Sequence, residues 1–184
     1  MQRNILWKGL DADTTENCYI SFFSTSIIVH SEISGWINNK PVTVEYYIKL
    51  ANNWEVQEFE VIAQRESYPV KKYAMKRESN GAWTDNKGVQ LAKFSRCSYI
   101  DITLTPFTNS LPINNLKLNE SERKEIHVVY IDIEEEKVRV DKQRYTRLND
   151  HLYRFENDGG NFKAEITVDK DGFVTNYPQL FEII

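Results

Sequence analysis

The chain has little of what protein chemistry usually leans on. Its 184 residues include two cysteines, three histidines, seven glycines and five prolines. Cys18 and Cys97 stand far apart with no CxxC spacing, which argues against a disulfide framework or a paired-thiol zinc site. They read as small buried hydrophobes in a reducing compartment. His30, His127 and His151 are dispersed in or beside strand-like runs and lack metal-ligand spacing, so structural or solvent-facing roles are expected. There is no Gly-x-Ser-x-Gly elbow and no phosphate-cradling glycine loop. Asp169 to Gly172 resembles the start of a calcium loop but lacks the later acidic ligands, and reads as a hairpin turn. No catalytic residue, metal or cofactor is therefore expected.

Long apolar runs are also missing. No window approaches the roughly 18 apolar residues of a membrane-spanning helix. The first ten residues hold no apolar signal-peptide core, which makes a cytoplasmic location the expectation. Positive charge is short as well: 23 Lys and Arg face 27 Asp and Glu, a net charge of −4. That disfavours nucleic acid, whose phosphates need a basic surplus on some face. The densest basic run, 137–147, carries five Lys or Arg and follows directly on Glu134, Glu135 and Glu136. It reads as a solvated strand face.

What is present is alternation. Val42, Val44, Tyr46, Ile48 and Leu50 share one phase of a half-buried antiparallel strand. Residues 26–37 form another, and Asn38, Asn39 and Lys40 supply the hairpin turn between them. Trp54 and Val56 share one phase and Phe59, Val61 and Ala63 the other, so a β-bulge is predicted near Gln57 and Glu58. Strand-like runs continue over 70–78, 98–104, 126–133, 138–147, 151–156, 162–168 and 173–175, separated by polar turns. Helical periodicity is confined to short stretches near 88–94 and 105–113. The chain is thus mainly β: a single long antiparallel meander with one or two short helices. A twisted sheet of this size cannot stay flat and should curl into a barrel, half-barrel or roll. With no linker or composition break, residues 1–184 are expected to form one domain, long enough to bury roughly 70% of its unfolded surface.

The segment Thr105 to Ile113 (TPFTNSLPI) is an unusual way to leave a strand. Thr105 suits an N-cap and Pro106 the first helical position, while Pro112 pushes Leu111 out of helical space. A stub helix between the prolines is predicted, with the Phe107, Thr108 and Asn109 amides pointing outward as an anion-attracting nest and Phe107 and Leu111 as apolar lining. The alternative is a plug, in which Phe107 and Leu111 close an open end of the sheet. Aromatics make up 12% of the chain, and Trp7, Trp36, Trp54 and Trp83 belong to the core or line a cavity.

Trp7, Gly35-Trp36, the Gly81-Ala82-Trp83 turn, the run 101–116 (DITLTPFTNSLPINNL), Gln143 to Thr146, Val168 to Val174, Tyr177-Pro178 and Leu180-Phe181 together resemble bacterial proteins catalogued as putative glycolipid-binding. The resemblance extends over nearly the full length, with Thr-Pro-Phe-Thr-Asn its most specific stretch. It implies a spiral β-roll, similar to the curved sheet of bacterial lipoprotein carriers, with an apolar concave face for acyl chains. Asn114 and Asn115 stand where the family usually has arginines, which weakens an anionic head-group contact there. The expected function is non-enzymatic binding of a lipid or glycolipid-like ligand in the concave face. The expected ligand-binding residues are Thr105, Phe107, Thr108, Asn109, Leu111, Trp36, Trp54, Tyr145 and Tyr177. The alternative is a protein-interaction or homodimerisation module with a filled interior and no ligand.

Overall fold

The computed structural model describes residues 1–66 and 68–184. The predicted alternation governs burial. In β3 (Ser26–Ile37) and β4 (Lys40–Ala51) every second residue is buried, with Val42, Val44, Tyr46, Ile48 and Leu50 on the inner side. The turn joining them has both asparagines at positive φ, 50° at Asn38 and 61° at Asn39. A two-residue hairpin needs that geometry to match the strand twist. Between β4 and β5 (Val56–Arg65) Lys49 pairs with Glu58 but Leu50 with Val56. Gln57 is the extra residue, so the predicted bulge is present and re-phases the inward residues.

Among the described residues, fourteen strands form one large, open, curved sheet. Before β3 lie β1 (Gln2–Gly9) and β2 (Asp13–Phe22), and after β5 come β6 (Lys71–Arg77) and the two-residue β7 (Trp83–Thr84). The second half comprises β8 (Tyr99–Ile102), β9 (Arg123–Asp132), β10 (Lys137–Asn149), β11 (Leu152–Asn157), β12 (Lys163–Val168), β13 (Val174–Tyr177) and β14 (Phe181–Ile183). The order across the sheet is β7 to β1 descending, then β14 to β8 descending. The sheet is therefore two meanders joined where the terminal strands β1 and β14 pair, Trp7 opposite Ile183. Both outer strands are short, which limits the unpaired edge.

At Gly35 the β3 backbone lies close against Asp13 and Thr14 of β2. Its φ is 154°, and a Cβ there would lie 2.1 Å from the Asp13 carbonyl oxygen. Gly35→Ala is expected to cost about 2 kcal/mol through overlap and backbone strain, read as a lower urea midpoint at unchanged slope.

Among the described residues, β8 and β9 make the one parallel pair. A parallel pair needs a crossover, and the crossover is Thr105 to Leu118. It contains a 3-10 turn, Phe107–Asn109, and then α1, Ser110–Leu116. This corrects the stub helix expected between the prolines. Pro112 sits in the first turn of α1, where its missing N–H has no intrahelical partner to lose, so the helix runs through it and ends at Lys117 with a left-handed φ of 48°. Near residue 91 the predicted helix shrinks to a 3-10 turn, Ala92–Phe94.

The crossover lies inside the curve of the sheet. Residues 105–113 are all buried. The Phe107 ring is stacked on Tyr46 of β4 on one side and on Phe173 on the other, with centroids 6.3 and 6.4 Å away. Trp7 and Trp83 are fully buried, and their indole N–H groups donate to the Val174 and Cys97 carbonyls. The concave interior is thus packed with protein, apart from the cleft described next. The basic run of β10 is matched by acids, with Lys142 and Arg144 near Glu125, Arg139 near Asp132 and Arg147 near Asp150.

Candidate functional site

Where the β1–β2 and β3–β4 turns face the crossover and strands β9 to β14, the packing leaves a cleft of about 510 Å³. Its volume falls within the range of small-ligand sites. Its two walls differ in chemistry because they come from different strands.

One wall is aromatic. Phe155 (β11), Phe162, Tyr177 (β13) and Phe181 (β14) line it together with Leu180. Their rings form a connected set: Phe155 lies 6.0 Å from Phe162 and 6.1 Å from Tyr177, and Tyr177 lies 6.2 Å from Phe181. Edge-to-face contacts of this kind hold each ring in place.

The other wall is polar and built on β8, β9 and β10. Asp101 accepts hydrogen bonds from the Thr108 hydroxyl (3.0 Å) and the Gln143 amide (2.6 Å). Burial pushes its carboxyl above the ordinary range, opposed by those two hydrogen bonds. The Gln143 amide also reaches Asp141 at 3.4 Å. Arg139 lies 4.1 Å from the centre of the Tyr130 ring and donates to Asp132 at 3.3 Å. Burial, followed by the nearby Asp101 and Asp132, raises the Tyr130 hydroxyl above its usual value, so it stays protonated as a donor.

Behind Thr105 the crossover is fastened to the sheet by a buried acid. Glu16 Oε1 accepts from the hydroxyls of Ser31 (2.8 Å), Tyr46 (2.5 Å) and Thr105 (2.9 Å). Its other oxygen is buried with no hydrogen-bond partner among the described residues. Burial outweighs the three donated bonds and pushes the Glu16 carboxyl up to about 7.

Of the nine residues expected to meet a ligand, Thr105, Asn109 and Tyr177 line the cleft. Phe107, Thr108 and Leu111 are buried in the plug, and Tyr145 is buried behind the aromatic wall, its hydroxyl accepting from Asn109 at 2.8 Å. Trp54 sits in a turn at φ 69° with its ring edge-on to Phe22 and Phe173. Trp36 points out of the sheet, 52% exposed, because it has the opposite phase from Ile33 and Ile37. The anion nest is not formed: the Phe107 amide donates to Thr105 Oγ1 and the Asn109 amide to the Pro106 carbonyl. Asn114 donates to the Ser110 and Gly172 carbonyls and Asn115 to the Asn53 carbonyl, so both serve the fold away from the cleft.

Sequence reading passed over Asp101, Gln143, Asp132, Asp141, Phe155, Phe162 and Glu16. Three of them left a signal in the chain. Asp101 and Gln143 lie inside the motifs quoted above, and Glu16 occupies an inward position of β2 between Thr14 and Cys18, where an acid is out of place. Among the described residues, no group of three or more His, Cys, Asp or Glu side chains is placed to hold a metal ion, and no helix is long and apolar enough to cross a membrane.

Fold and cleft together define a curved-sheet protein whose interior is filled by its own crossover helix and which carries a cleft lined by aromatic rings and carboxylates. The chain belongs to the family described as "Putative glycolipid-binding", which matches residues 4–182. It is similar to a DUF1089 family protein from Pseudomonas aeruginosa known from a crystal structure, with 30% sequence identity, 92% of each chain covered and a TM-score of 0.82. No curated protein matches the chain in sequence.

Proposed function

We propose that the protein binds, without chemical conversion, an amphipathic ligand of the glycolipid type in this cleft. One observation carries the reading: a cavity of about 510 Å³ is lined both by a connected array of aromatic rings and by carboxylates and amides. The hydroxyls of a sugar-like head group are donors that Asp101, Asp141 and Gln143 Oε1 can accept from. The apolar face of the head group and the first part of its tail would lie on Phe162, Tyr177 and Phe181. Thr105, Asn109 and Tyr177 are the residues from the expected set proposed to meet the ligand. Since Phe107, Leu111 and Ile113 fill the concave interior, the remainder of a long tail would extend outward from the cleft and not through the sheet. The family's description supports the same class of ligand.

Calorimetric titration with octyl β-glucoside below its micelle concentration tests this. Saturable binding of one equivalent is expected, weakened about tenfold or more in Phe162→Ala through the loss of a buried ring contact, and unchanged in Trp36→Ala. Absence of saturation, or equal affinity in wild type and Phe162→Ala, would sink the reading.

A further inference from the structure

Five carboxylates line the cleft, those of Asp11, Asp101, Asp132, Glu134 and Asp141, against one cationic side chain, Arg139. That guanidinium is already engaged, donating to Asp132 while it covers the Tyr130 ring. The Asp101 oxygens are oriented by Thr108 and Gln143, and Asp141 accepts a 3.4 Å hydrogen bond from Gln143 and feels the charge of Arg139. The polar wall therefore offers acceptors and negative potential, and it leaves no unpaired cation to meet an anion. The aromatic rings that line the same cleft sharpen this, because they screen charge less than water does.

We infer that the cleft discriminates by head-group charge: it takes neutral or amine-bearing polyhydroxy head groups and rejects anionic ones such as uronic acids or phosphates. This rests on the cleft being the binding site proposed above. The mechanism is rejection as much as attraction. An anion entering the cleft would lose its hydration and face carboxylates in return, whereas hydroxyl and ammonium donors find oriented acceptors. An ammonium group gains further from the negative charge in excess over Arg139, five carboxylates to one guanidinium in the cleft lining.

The test compares three probes with the same tail by calorimetry at low salt: octyl β-glucoside, its 2-amino-2-deoxy analogue and octyl β-glucuronide. The glucuronide is expected to bind at least tenfold more weakly than the glucoside, and the amino sugar at least as tightly as the glucoside. In Asp141→Asn, whose side chain is partly exposed and whose fold is checked by circular dichroism, the gap between glucuronide and glucoside should narrow severalfold. Added salt should narrow it further in wild type. A glucuronide that binds as tightly as the glucoside would overturn the charge discrimination while leaving the cleft as the binding site. If none of the three binds, both conclusions fall together.

Discussion

Phe107→Ala is expected to lower the unfolding free energy by about 3–5 kcal/mol, the cost of removing a fully buried aromatic ring and leaving a cavity. Phe107 is the centre of a three-ring stack, with Tyr46 on one side and Phe173 on the other. These partners belong to opposite halves of the sheet. Tyr46 lies on β4 in the first meander, and Phe173 immediately precedes β13 in the second. The ring therefore bridges two halves whose strands, among the described residues, hydrogen-bond to each other at β1 and β14. Urea unfolding should show the drop in midpoint. A loss below about 1 kcal/mol would mean that the crossover helix is not the packed centre of the roll.

Raising the pH from 5 to 8 is expected to destabilise the wild-type protein by about 3 kcal/mol through Glu16 alone. The folded carboxyl ionises near 7, whereas its ordinary value is 4.5. Between those values the folded state holds a proton that the unfolded state has released, so stability falls as pH rises through the window and levels off above the folded value. The cause is burial. Three hydroxyl donors converge on Oε1 but do not compensate for a charge enclosed on every side. Glu16→Gln keeps an oxygen for those donors and has no charge to desolvate. Its stability should be flat across this window and exceed that of wild type at pH 8, as read by urea midpoints at both pH values. Equal slopes for the two proteins would show that another group carries the pH dependence. Because Thr105 both binds Glu16 and lines the cleft, the same titration bears on how firmly the crossover is held beside the ligand space.

Much of the sheet was legible because side-chain period and burial coincide in a strand. The run from Val42 to Leu50 could face the core in one way only, and the shift in phase before Phe59 required one extra residue, found at Gln57. The segment from Thr105 to Ile113 was legible as unusual and illegible in its cause. Local rules for Pro112 predict a break after Leu111, but they do not say that the proline falls in a first helical turn, where it breaks nothing. That position follows from β8 entering the sheet parallel to β9, and a parallel pairing between distant segments leaves no mark on local pattern.

The cleft was the least legible part. Phe155, Phe162, Tyr177 and Phe181 are spread over nearly thirty residues and come from successive hairpins, so their contact depends on strand register. Asp101 and Gln143 are 42 positions apart and meet through a 2.6 Å hydrogen bond. Trp36 shows the converse, a conspicuous aromatic whose phase in β3 turns it to solvent.

The amino-acid sequence by itself determined that this protein is a mainly β structure, where its long hairpins turn, where β5 is bulged, and that it resembles a glycolipid-binding family, because these depend on neighbouring residues or on motifs read along the chain. Only the tertiary structure decided that the Thr105 to Ile113 segment fills the interior, that Glu16 is sealed beneath it, and that carboxylates and aromatic rings line one cleft. Those outcomes depend on which distant strands pair and in what register, and the free energy that selects the pairing belongs to the whole packed sheet and its crossover helix.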